Sequence, residues 1–349
     1  MNHTSGRPNL EQVAARAGVS RATASRVVNG FASVDPGLRD RVEQAVAELG
    51  YVPNQAARSL VTRRTDTIAL VASEPDVRVF ADPFFGDVVR GVSQETTSAG
   101  LQMTLLMAQS YADLDRIERY LVTAPIDGVL LISEHAEHDP LPSAMVGAGI
   151  PVVIGGRLLQ PGLDIPSVDN DNVGGAETAA KHLLARGRRV VGTVAGPADR
   201  AAGIDRLAGF RAGLGGSFRP TRVERGDFTI AGGEAAATRL LERVPGLDGL
   251  FAANDLMAMG ALKAVRRTGR RVPDDVALVG FDDIPLATLT EPPLTTVRQD
   301  SVTQGRAMVR MLVSRARPDL DLAPDDHLPV LDGTDRIVLP VCLVVRESS

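Results

Sequence analysis

Polar and charged side chains follow several apolar runs in this sequence, and together they could grip a small molecule. The run "LFAA" leads to Asn254, "VALVGF" to Asp282 and "VVIGG" to Arg157, while Arg206 opens the stretch "RLAGF". An acid, an amide and arginines that converge on one cleft can hydrogen-bond to neighbouring hydroxyl groups. This combination favours a sugar or a similar polyhydroxylated metabolite as the ligand.

Two adjacent aromatic residues could complete such a cleft. Phe84 and Phe85 stand in "DPFFGDV", and aromatic residues make up only 3% of the chain. They could supply a flat apolar wall for the ligand, or they could belong to the hydrophobic core. Asp255 and Asp283 lie beside two of the polar candidates, and both also suit the N-cap of a following helix. The residues alone leave these alternatives open.

A second chemistry is indicated near the N-terminus by the stretch "VAARAGVSRATASRVVNG". Apolar residues recur there at one helical face, Gly18 can end the helix in a left-handed conformation, and Ser20 suits the next N-cap. The first face consists of Leu10, Val13, Ala14 and Ala17. The spacing predicts a second helix from about Arg21 to Asn29, with Ala24, Val27 and Val28 turned inward.

The outward face of that second helix could enter the major groove of DNA. Its exposed residues are predicted to be Arg21, Ala22, Ser25 and Arg26. Asp35, Pro36 and Gly50 predict the ends of a third helix, so that three helices form a minimal core. This is helix-turn-helix geometry, although a helical hairpin without DNA-binding function would show the same spacing.

The next segment, "YVPNQAARSL", predicts one short helix that begins at Pro53 and Asn54. A helix of two or three turns is not stable alone in water, so it would order only against a partner. Ala57 would permit a close helix pair, and Leu60 could wedge between base pairs in the minor groove. The alternative is a plain linker.

Charge is distributed unevenly along the 349 residues. The net charge is −5, yet residues 1–64 contain nine arginines and five acids, which gives this head +4 and leaves −9 for the remainder. A basic head on an acidic body is expected when one end meets phosphates, although chance clustering would look the same. A single cysteine, no bilayer-length apolar run and no secretory signal pattern predict a cytoplasmic protein without a membrane partner.

From Thr67 onward the pattern changes to short apolar runs that alternate with amphipathic segments. The runs are "TIALVA", "LQMTLLM", "GVLLI", "PVVI", "VVGTVAG", "GLFAA" and "VALVGF". This alternation predicts an α/β fold with parallel sheets covered on both faces. Two series of runs are separated near "QPGLDIPSVDNDN", which predicts two α/β lobes.

These stretches resemble the lac repressor/galactose repressor family of bacterial transcription regulators. The resemblance rests on the AGVS turn, the SRVVN helix end and the YVPN hinge, in order and at family spacing, and it continues through "GLFAANDLMAMGALKAV", "VGFDDIP" and "PPLTTVRQD". It therefore covers essentially the whole chain. It implies a three-helix head and a hinge helix, followed by a two-lobed, doubly wound domain like that of periplasmic binding proteins.

The resemblance also implies domain boundaries. The head would span 1–52, the hinge helix and linker 53–65, and the effector-binding and dimerisation domain 66–349. One lobe would combine about 66–164 with 294–322, and the other about 165–293 with 323–349. We expect a homodimer, because the C-terminus lacks the leucine heptads that a tetramer would need.

Residue roles follow from the resemblance as expectations. Base-edge contacts would come from Arg21, Ala22 and Arg26. Phosphate contacts would come from Ser20, Thr23, Ser25 and Asn29. Asn54 lies in the hinge, where Ala57 and Leu60 match the residues that enter the minor groove. Arg206, Asn254 and Asp282 match effector contacts, and Arg157 lies at a position directly against the effector. Phe84 and Phe85, which are expected from their residue type and position rather than from the resemblance, complete the candidate site.

The sequence thus predicts a repressor of carbohydrate-utilisation genes that binds a roughly palindromic operator and is released by a sugar. A corepressor-dependent regulator that responds to a nucleobase or a phosphorylated carrier protein is the alternative. An enzyme is disfavoured by the absence of known catalytic motifs, and a periplasmic solute-binding protein by the basic head. We expect no cofactor and no metal, since His135 and His138 stand in a loop without a nearby cysteine.

Overall fold

The computed structural model divides the chain into two compact units, Met1–Thr65 and Asp66–Ser349. It describes residues 8–29, 34–52, 64–74, 76–132, 139–320, 322–329 and 334–349. The hinge residues Asn54, Ala57 and Leu60, and also His135 and His138, lie outside these ranges. The predictions made for them are therefore untested by the structure.

The first unit contains the three predicted helices, α1 (Leu10–Ala17), α2 (Arg21–Val28) and α3 (Pro36–Leu49). Their caps agree with the sequence: Ser20 and Asp35 accept hydrogen bonds from backbone N–H groups at the starts of α2 and α3. Gly18 and Gly50 end α1 and α3 in the left-handed conformation. The buried core is small and aliphatic, and it consists of Val13, Ala14, Ala17, Ala24, Val27, Val42 and Ala45.

Two six-stranded sheets form the second unit. The lobe 1 sheet has the order β11-β5-β4-β3-β1-β2 and is wholly parallel. Its strands are β1 (Thr67–Ala72), β2 (Gln102–Met107), β3 (Gly128–Ile132), β4 (Val152–Gly155), β5 (Ser167–Asn170) and β11 (Arg336–Leu339). Strands β1 and β3 are buried along almost their whole length, as their unbroken apolar runs predict.

The lobe 2 sheet has the order β12-β10-β9-β8-β6-β7, and only β12 runs antiparallel to its neighbour. Its strands are β6 (Val191–Ala195), β7 (Val223–Arg225), β8 (Gly249–Ala252), β9 (Ala277–Asp282), β10 (Thr295–Arg298) and β12 (Cys342–Val344). All seven predicted runs are strands. The predicted fold class, α/β with two lobes, is confirmed.

Helices cover both sheets. They are α4 (Asp76–Ala81), α5 (Pro83–Ser98), α6 (Tyr111–Thr123), α7 (Leu141–Gly147), α8 (Asn172–Ala185), α9 (Ala201–Leu214), α10 (Ile230–Arg243), α11 (Asp255–Arg267) and α12 (Ser301–Ala316). Short 3-10 turns occur at Gly215–Ser217, Pro220–Arg222 and Pro285–Thr288. Helices α5 and α12 pack backbone to backbone, since a Cβ on Gly91 would lie 2.1 Å from the carbonyl oxygen of Val302. None of the helices described is both long and apolar enough to span a bilayer.

The chain passes between the lobes three times, and the crossovers differ from the predicted boundaries. They follow β5, β10 and β11, so β5 belongs to lobe 1 although the prediction began lobe 2 at 165. Likewise β10 lies in lobe 2 rather than in the predicted lobe 1 segment 294–322, and β11 lies in lobe 1 rather than in the predicted lobe 2 segment 323–349. Three of the four residues of β5, "SVDN", are polar, so its pattern does not reveal a buried strand.

Candidate functional site

Helix α2 presents an exposed face that carries the expected arginines. Ala24 and Val27 are buried in the head core, whereas Arg21, Ala22 and Arg26 are exposed. Neither Arg21 nor Arg26 forms a hydrogen bond or an ion pair with another described residue. Both guanidinium groups are therefore available to an external acceptor, such as a base edge or a phosphate.

The hydroxyl groups of the same helix are partly occupied within the head. Ser20 Oγ accepts a hydrogen bond from the Thr23 backbone N–H at 3.1 Å and lies 2.9 Å from Thr23 Oγ1. Asn29 Nδ2 donates to Ser25 Oγ at 3.2 Å. A hydroxyl oxygen has two lone pairs and one proton, so these groups retain capacity for a further partner.

The turn between α1 and α2 is held by Arg41, a residue that the sequence analysis did not single out. Its Nη2 donates to the carbonyl oxygens of Ala17 at 2.5 Å and Gly18 at 3.2 Å. Arg16 and Glu48 form an ion pair that links α1 to α3. These arginines stabilise the head, and Arg21 and Arg26 are left on its open face.

In the second unit, the carboxyl ends of the strands meet at a cleft between the lobes, where ligands of open α/β sheets bind. A small cavity of about 30 Å³ lies there. Its lining combines aromatic, acidic and basic groups: Arg78, Asp82, Phe84, Ala202, Arg206, Phe228, Asn254, Asp282 and Gln299. The structure thus brings four of the predicted residues together, namely Phe84, Arg206, Asn254 and Asp282.

Arg206 is the most connected side chain of this cleft. It is only 5% exposed, and its Nη1 lies 3.0 Å from Asp282 Oδ1. Nε donates to Asn172 Oδ1 at 2.8 Å and Nη1 to the Ala253 carbonyl oxygen at 2.6 Å. The guanidinium carbon lies 3.7 Å from the centre of the Phe281 ring. A buried guanidinium with this many partners has a fixed position and orientation.

Asp282 lies at the end of β9 with φ 111°, a conformation that a non-glycine residue rarely adopts. Its Oδ1 accepts a hydrogen bond from Gln299 Nε2 at 2.9 Å as well as the contact from Arg206. The strained backbone turns this carboxylate toward the cleft.

Asp82 is a buried acid that the sequence analysis did not identify as part of the site. It is the N-cap of α5 and accepts a hydrogen bond from the Phe84 backbone N–H at 3.1 Å. Burial raises the pKa of the Asp82 carboxyl, and this hydrogen bond and the charges of Arg78 and Arg206 oppose that rise. The "DP" before "FF" was a signal for an N-cap, but not for a cleft residue.

The sequence suggested Asp255 as the N-cap of the helix that follows β8, but the structure gives this role to Asn254. Asn254, not Asp255, is the N-cap of α11, and its Nδ2 donates to the Phe228 carbonyl oxygen at 3.1 Å. Asp255 is fully buried and accepts hydrogen bonds from the Ile284 N–H and the Thr296 hydroxyl. Burial, and then the negative charge of Asp282, raise the pKa of the Asp255 carboxyl well above its ordinary value.

Two predicted residues lie elsewhere. Phe85 is 3% exposed and packs in the core of lobe 1, so of the aromatic pair only Phe84 lines the cavity. Arg157 forms a bidentate pair with Asp205, with Nε–Oδ2 at 2.8 Å and Nη2–Oδ1 at 2.6 Å. This pair joins the end of β4 in lobe 1 to α9 in lobe 2, so Arg157 links the lobes rather than lining the described cavity.

A second link between the lobes involves Glu74, which follows β1 and is 3% exposed. Glu74 Oε2 lies 2.8 Å from Arg78 Nη1, and Oε1 lies 3.0 Å from Nε of Arg200 at the start of α9. No group of three His, Cys, Asp or Glu side chains that could hold a metal ion occurs within the residues described.

Fold and sites together define a class of regulatory protein, in which a helix-turn-helix head accompanies a two-lobed ligand-binding body. Residues 9–54 match the family model described as bacterial regulatory proteins, lacI family. Residues 180–349 match the periplasmic binding protein-like domain. Both matches agree with the predicted resemblance and fold.

Among known proteins, the chain is similar to the HTH-type transcriptional regulator CelR of Thermobifida fusca, with 46% identity over 98% of each chain. It is similar to the solved transcriptional regulator CelR-cellobiose complex, with 44% identity, a TM-score of 0.75, and coverage of 98% of this chain and 100% of that one. The lac repressor dimer bound to operator and the anti-inducer ONPF gives 25% identity, a TM-score of 0.81, and coverage of 98% and 99%. The chain belongs to the lacI family of bacterial regulatory proteins and is a transcriptional regulator.

Proposed function

We propose that this protein is a homodimeric repressor that binds roughly palindromic operator DNA and is released by a sugar, with a cellobiose-like disaccharide as the first candidate. The observation that carries the sugar assignment is the buried Arg206–Asp282 pair at the carboxyl edge of the lobe 2 sheet. A fixed donor beside a fixed acceptor suits adjacent hydroxyl groups, since each hydroxyl both donates and accepts. The similarity to the CelR-cellobiose complex supports the same assignment.

DNA would be read by the exposed face of α2. Arg21, Ala22 and Arg26 would reach base edges in the major groove, with Arg26 as a bidentate donor to guanine. Ser20, Thr23, Ser25 and Asn29 would contact phosphates and fix the register. Two heads of a dimer would occupy successive major grooves, and Asn54, Ala57 and Leu60 would act in the minor groove between them.

The cleft must change shape to hold a sugar. The cavity at Arg206 has about 30 Å³, whereas small-molecule pockets usually enclose roughly 300–1,000 Å³. A bound sugar would therefore move side chains or lobes. Arg206 contacts Asn172 and Gln299, which lie at two of the three crossovers, so ligand contact at Arg206 reaches the segments about which the lobes turn.

Regulation is then a coupling free energy between cleft and operator, on the order of 1–3 kcal/mol, and it is reciprocal. If a sugar weakens operator binding by a given factor, the complex of protein and operator must bind that sugar more weakly than the free protein does, by the same factor. We further propose that the protein has no enzymatic activity and acts in the cytoplasm, where the chromosome lies.

The test combines selection and titration. Operator sites would be selected from a randomised duplex pool at low ionic strength and then titrated by fluorescence anisotropy, with and without cellobiose. We expect a palindromic site whose affinity falls by roughly 5–150-fold at saturating sugar. Binding that does not distinguish the selected site from random duplex would refute the proposal.

A thermal-shift panel of sugars, nucleobases and a phosphorylated carrier protein separates the alternatives. Stabilisation by a sugar alone supports release by induction, because a ligand that binds the folded state raises its stability. Stabilisation by a nucleobase together with tighter operator binding would instead indicate corepression. Recovery of the sugar chemically unchanged after incubation with the protein would indicate a regulator, whereas its conversion would indicate an enzyme.

A further inference from the structure

Four charged side chains meet at the base of lobe 1, at the amino ends of its strands and thus at the edge opposite the cleft. Arg317, the C-cap of α12, is 5% exposed, and its Nη1 lies 2.7 Å from Asp66 Oδ1 and 2.9 Å from Asp127 Oδ2. Its Nε and Nη2 donate to the two carboxylate oxygens of Asp319, each at 3.2 Å. We call these four residues the base clamp.

The guanidinium group of the base clamp has a fixed orientation. A planar fork that donates to three carboxylates cannot rotate without losing several charge-assisted hydrogen bonds at once. The side chain of Asp127 is itself only 4% exposed, so water cannot easily replace these bonds.

Asp66, the first residue of the second unit, is held through its backbone as well as its side chain. Its φ is 53°, in the left-handed region that a non-glycine residue seldom adopts. Its N–H donates to Asp127 Oδ2 at 3.1 Å, and its carbonyl oxygen accepts from the Gln102 N–H at 2.7 Å. The direction in which the chain before residue 66 leaves lobe 1 is therefore set by contacts from β2, from the start of β3 and from α12.

Helix α12 gives the base clamp a rigid support. A Cβ on Gly305 would lie 2.4 Å from the carbonyl oxygen of Val88, so α12 and α5 are in backbone contact. Arg310 Nε donates to Glu95 Oε1 at 2.7 Å across the same pair of helices. Arg317 thus extends from an element that cannot shift without moving the rest of lobe 1.

A fixed exit has a consequence for a protein that binds DNA with two heads. The chain before Asp66 is the linker to the helix-turn-helix head, so residue 66 of each subunit of a dimer is the point where a linker begins. A stiff connection raises the effective concentration of the second head at one half-site spacing and lowers it at others, whereas a loose connection tolerates several spacings.

We propose that the base clamp determines which half-site spacing the protein accepts in its operator, with Arg317 as a positioning residue that acts through Asp66. This inference rests on the proposed homodimer and its roughly palindromic operator. Base readout belongs to α2, so the base clamp governs the distance between the two half-sites and not the sequence of either one.

Two variants loosen the exit from opposite sides of the contact. Arg317→Gln removes the guanidinium fork at a position 251 residues away from Asp66 in sequence, so its effect cannot arise from the composition of the linker. Asp66→Gly keeps the left-handed backbone, which glycine adopts readily, but removes the carboxylate that Arg317 holds. Arg317 would still have Asp127 and Asp319 as partners in this second variant.

Two matched controls keep the exit fixed. In Asp66→Asn, asparagine tolerates the left-handed conformation, and its amide oxygen can still accept a hydrogen bond from Arg317. Arg315→Gln breaks an ion pair with Asp335 at the same end of α12 but outside the base clamp. Thermal unfolding of every variant would verify that lobe 1 is folded.

The measurement is operator affinity by fluorescence anisotropy, with full-length protein and three duplexes. These are the selected operator, the same half-sites with one base pair inserted between them, and a single half-site. We expect the wild type to bind the selected operator at least about tenfold more tightly than the duplex with the insertion, because one base pair moves the second half-site by about 3.4 Å and turns it by roughly a tenth of a helical turn.

In Arg317→Gln and Asp66→Gly this ratio should fall to about threefold or less, while affinity for the single half-site stays unchanged. Asp66→Asn and Arg315→Gln should keep the wild-type ratio. A merely structural role would instead lower binding to all three duplexes together.

The outcomes separate this inference from the proposed function. A wild type that binds one half-site as tightly as two refutes the proposed dimeric binding, and the inference with it. A wild type that needs both half-sites but tolerates the inserted base pair overturns the inference alone. So does a wild-type ratio in Arg317→Gln and Asp66→Gly, or an equal loss of the ratio in Arg315→Gln.

Discussion

The Arg206–Asp282 pair makes one prediction that can be worked through in energy. Asp282→Asn keeps the shape of the side chain and an acceptor for Gln299, but it removes the charge opposite a guanidinium that is 5% exposed. Breaking a buried pair from one side commonly costs about 3–5 kcal/mol. Arg206 retains Asn172, the Ala253 carbonyl and the Phe281 ring, so we expect the lower end of this range, about 3 kcal/mol.

For a unit of this size, such a loss lowers Tm by roughly 5–10 °C. The same change removes a charged acceptor from the proposed sugar site, which is worth about 1.5–3 kcal/mol, or roughly 10–150-fold in cellobiose affinity. Operator affinity should remain unchanged, because Asp282 lies in the second unit and the proposed readout lies in α2.

The assay is a double-mutant cycle with Asp282→Asn, Arg206→Gln and the double variant, followed by thermal unfolding and by calorimetry with cellobiose. The pair predicts non-additivity, with the double variant less damaged than the sum of the single variants by about 0.5–3 kcal/mol. Additive losses within about 0.5 kcal/mol would refute the energetic pairing. A normal sugar response in Asp282→Asn would show that the pocket is elsewhere.

Three further predictions concern the head, the hinge and a buried acid. Arg26→Ala should cost about 1–3 kcal/mol on the selected operator and relax preference at one base position, as anisotropy with single-base variants would detect. Arg16→Ala, which alters only the α1–α3 link, is the control, and equal loss on all duplexes would remove Arg26 from base readout. Leu60→Ala should reduce operator bending in a gel-shift bending assay while the head stays folded; unchanged bending would contradict the minor-groove wedge. Asp255→Asn should raise Tm at neutral pH. The pKa of Asp255 is raised in the folded state, so the free energy of unfolding of the wild type falls as the pH increases from the pKa in the unfolded state to the pKa in the folded state. The stability gain of the variant should therefore shrink in acid. A variant whose Tm advantage grows in acid would reverse this sign.

Much of the fold follows from local pattern. The head helices begin and end where Ser20, Asp35, Gly18 and Gly50 predict, because caps and left-handed glycines act within a few residues. Seven strands follow from unbroken apolar runs. Two strands could not be assigned in this way: β5, because three of its four residues are polar, and β10, because its placement depends on crossover topology.

The cleft was predictable only where a residue type and a strand end coincide. Asp282 meets this condition, and it lies 3.0 Å from Arg206, which stands within α9. Arg157 met it too, but nothing local shows that Asp205, 48 residues away, would capture its guanidinium. Phe228 gave no signal, since its role depends on a left-handed backbone and on a distant amide.

The three crossovers have a consequence for biosynthesis. Lobe 1 begins at β1, near residue 67, yet its sheet needs α12 to cover one face and β11 to complete one edge, the latter at residues 336–339. A nascent chain therefore exposes part of the lobe 1 core on the ribosome until nearly all of the protein has emerged. Premature termination between residues 298 and 336 would leave both lobes unfinished at once, so such truncated products should be recognised by chaperones and proteases rather than persist as half-functional regulators.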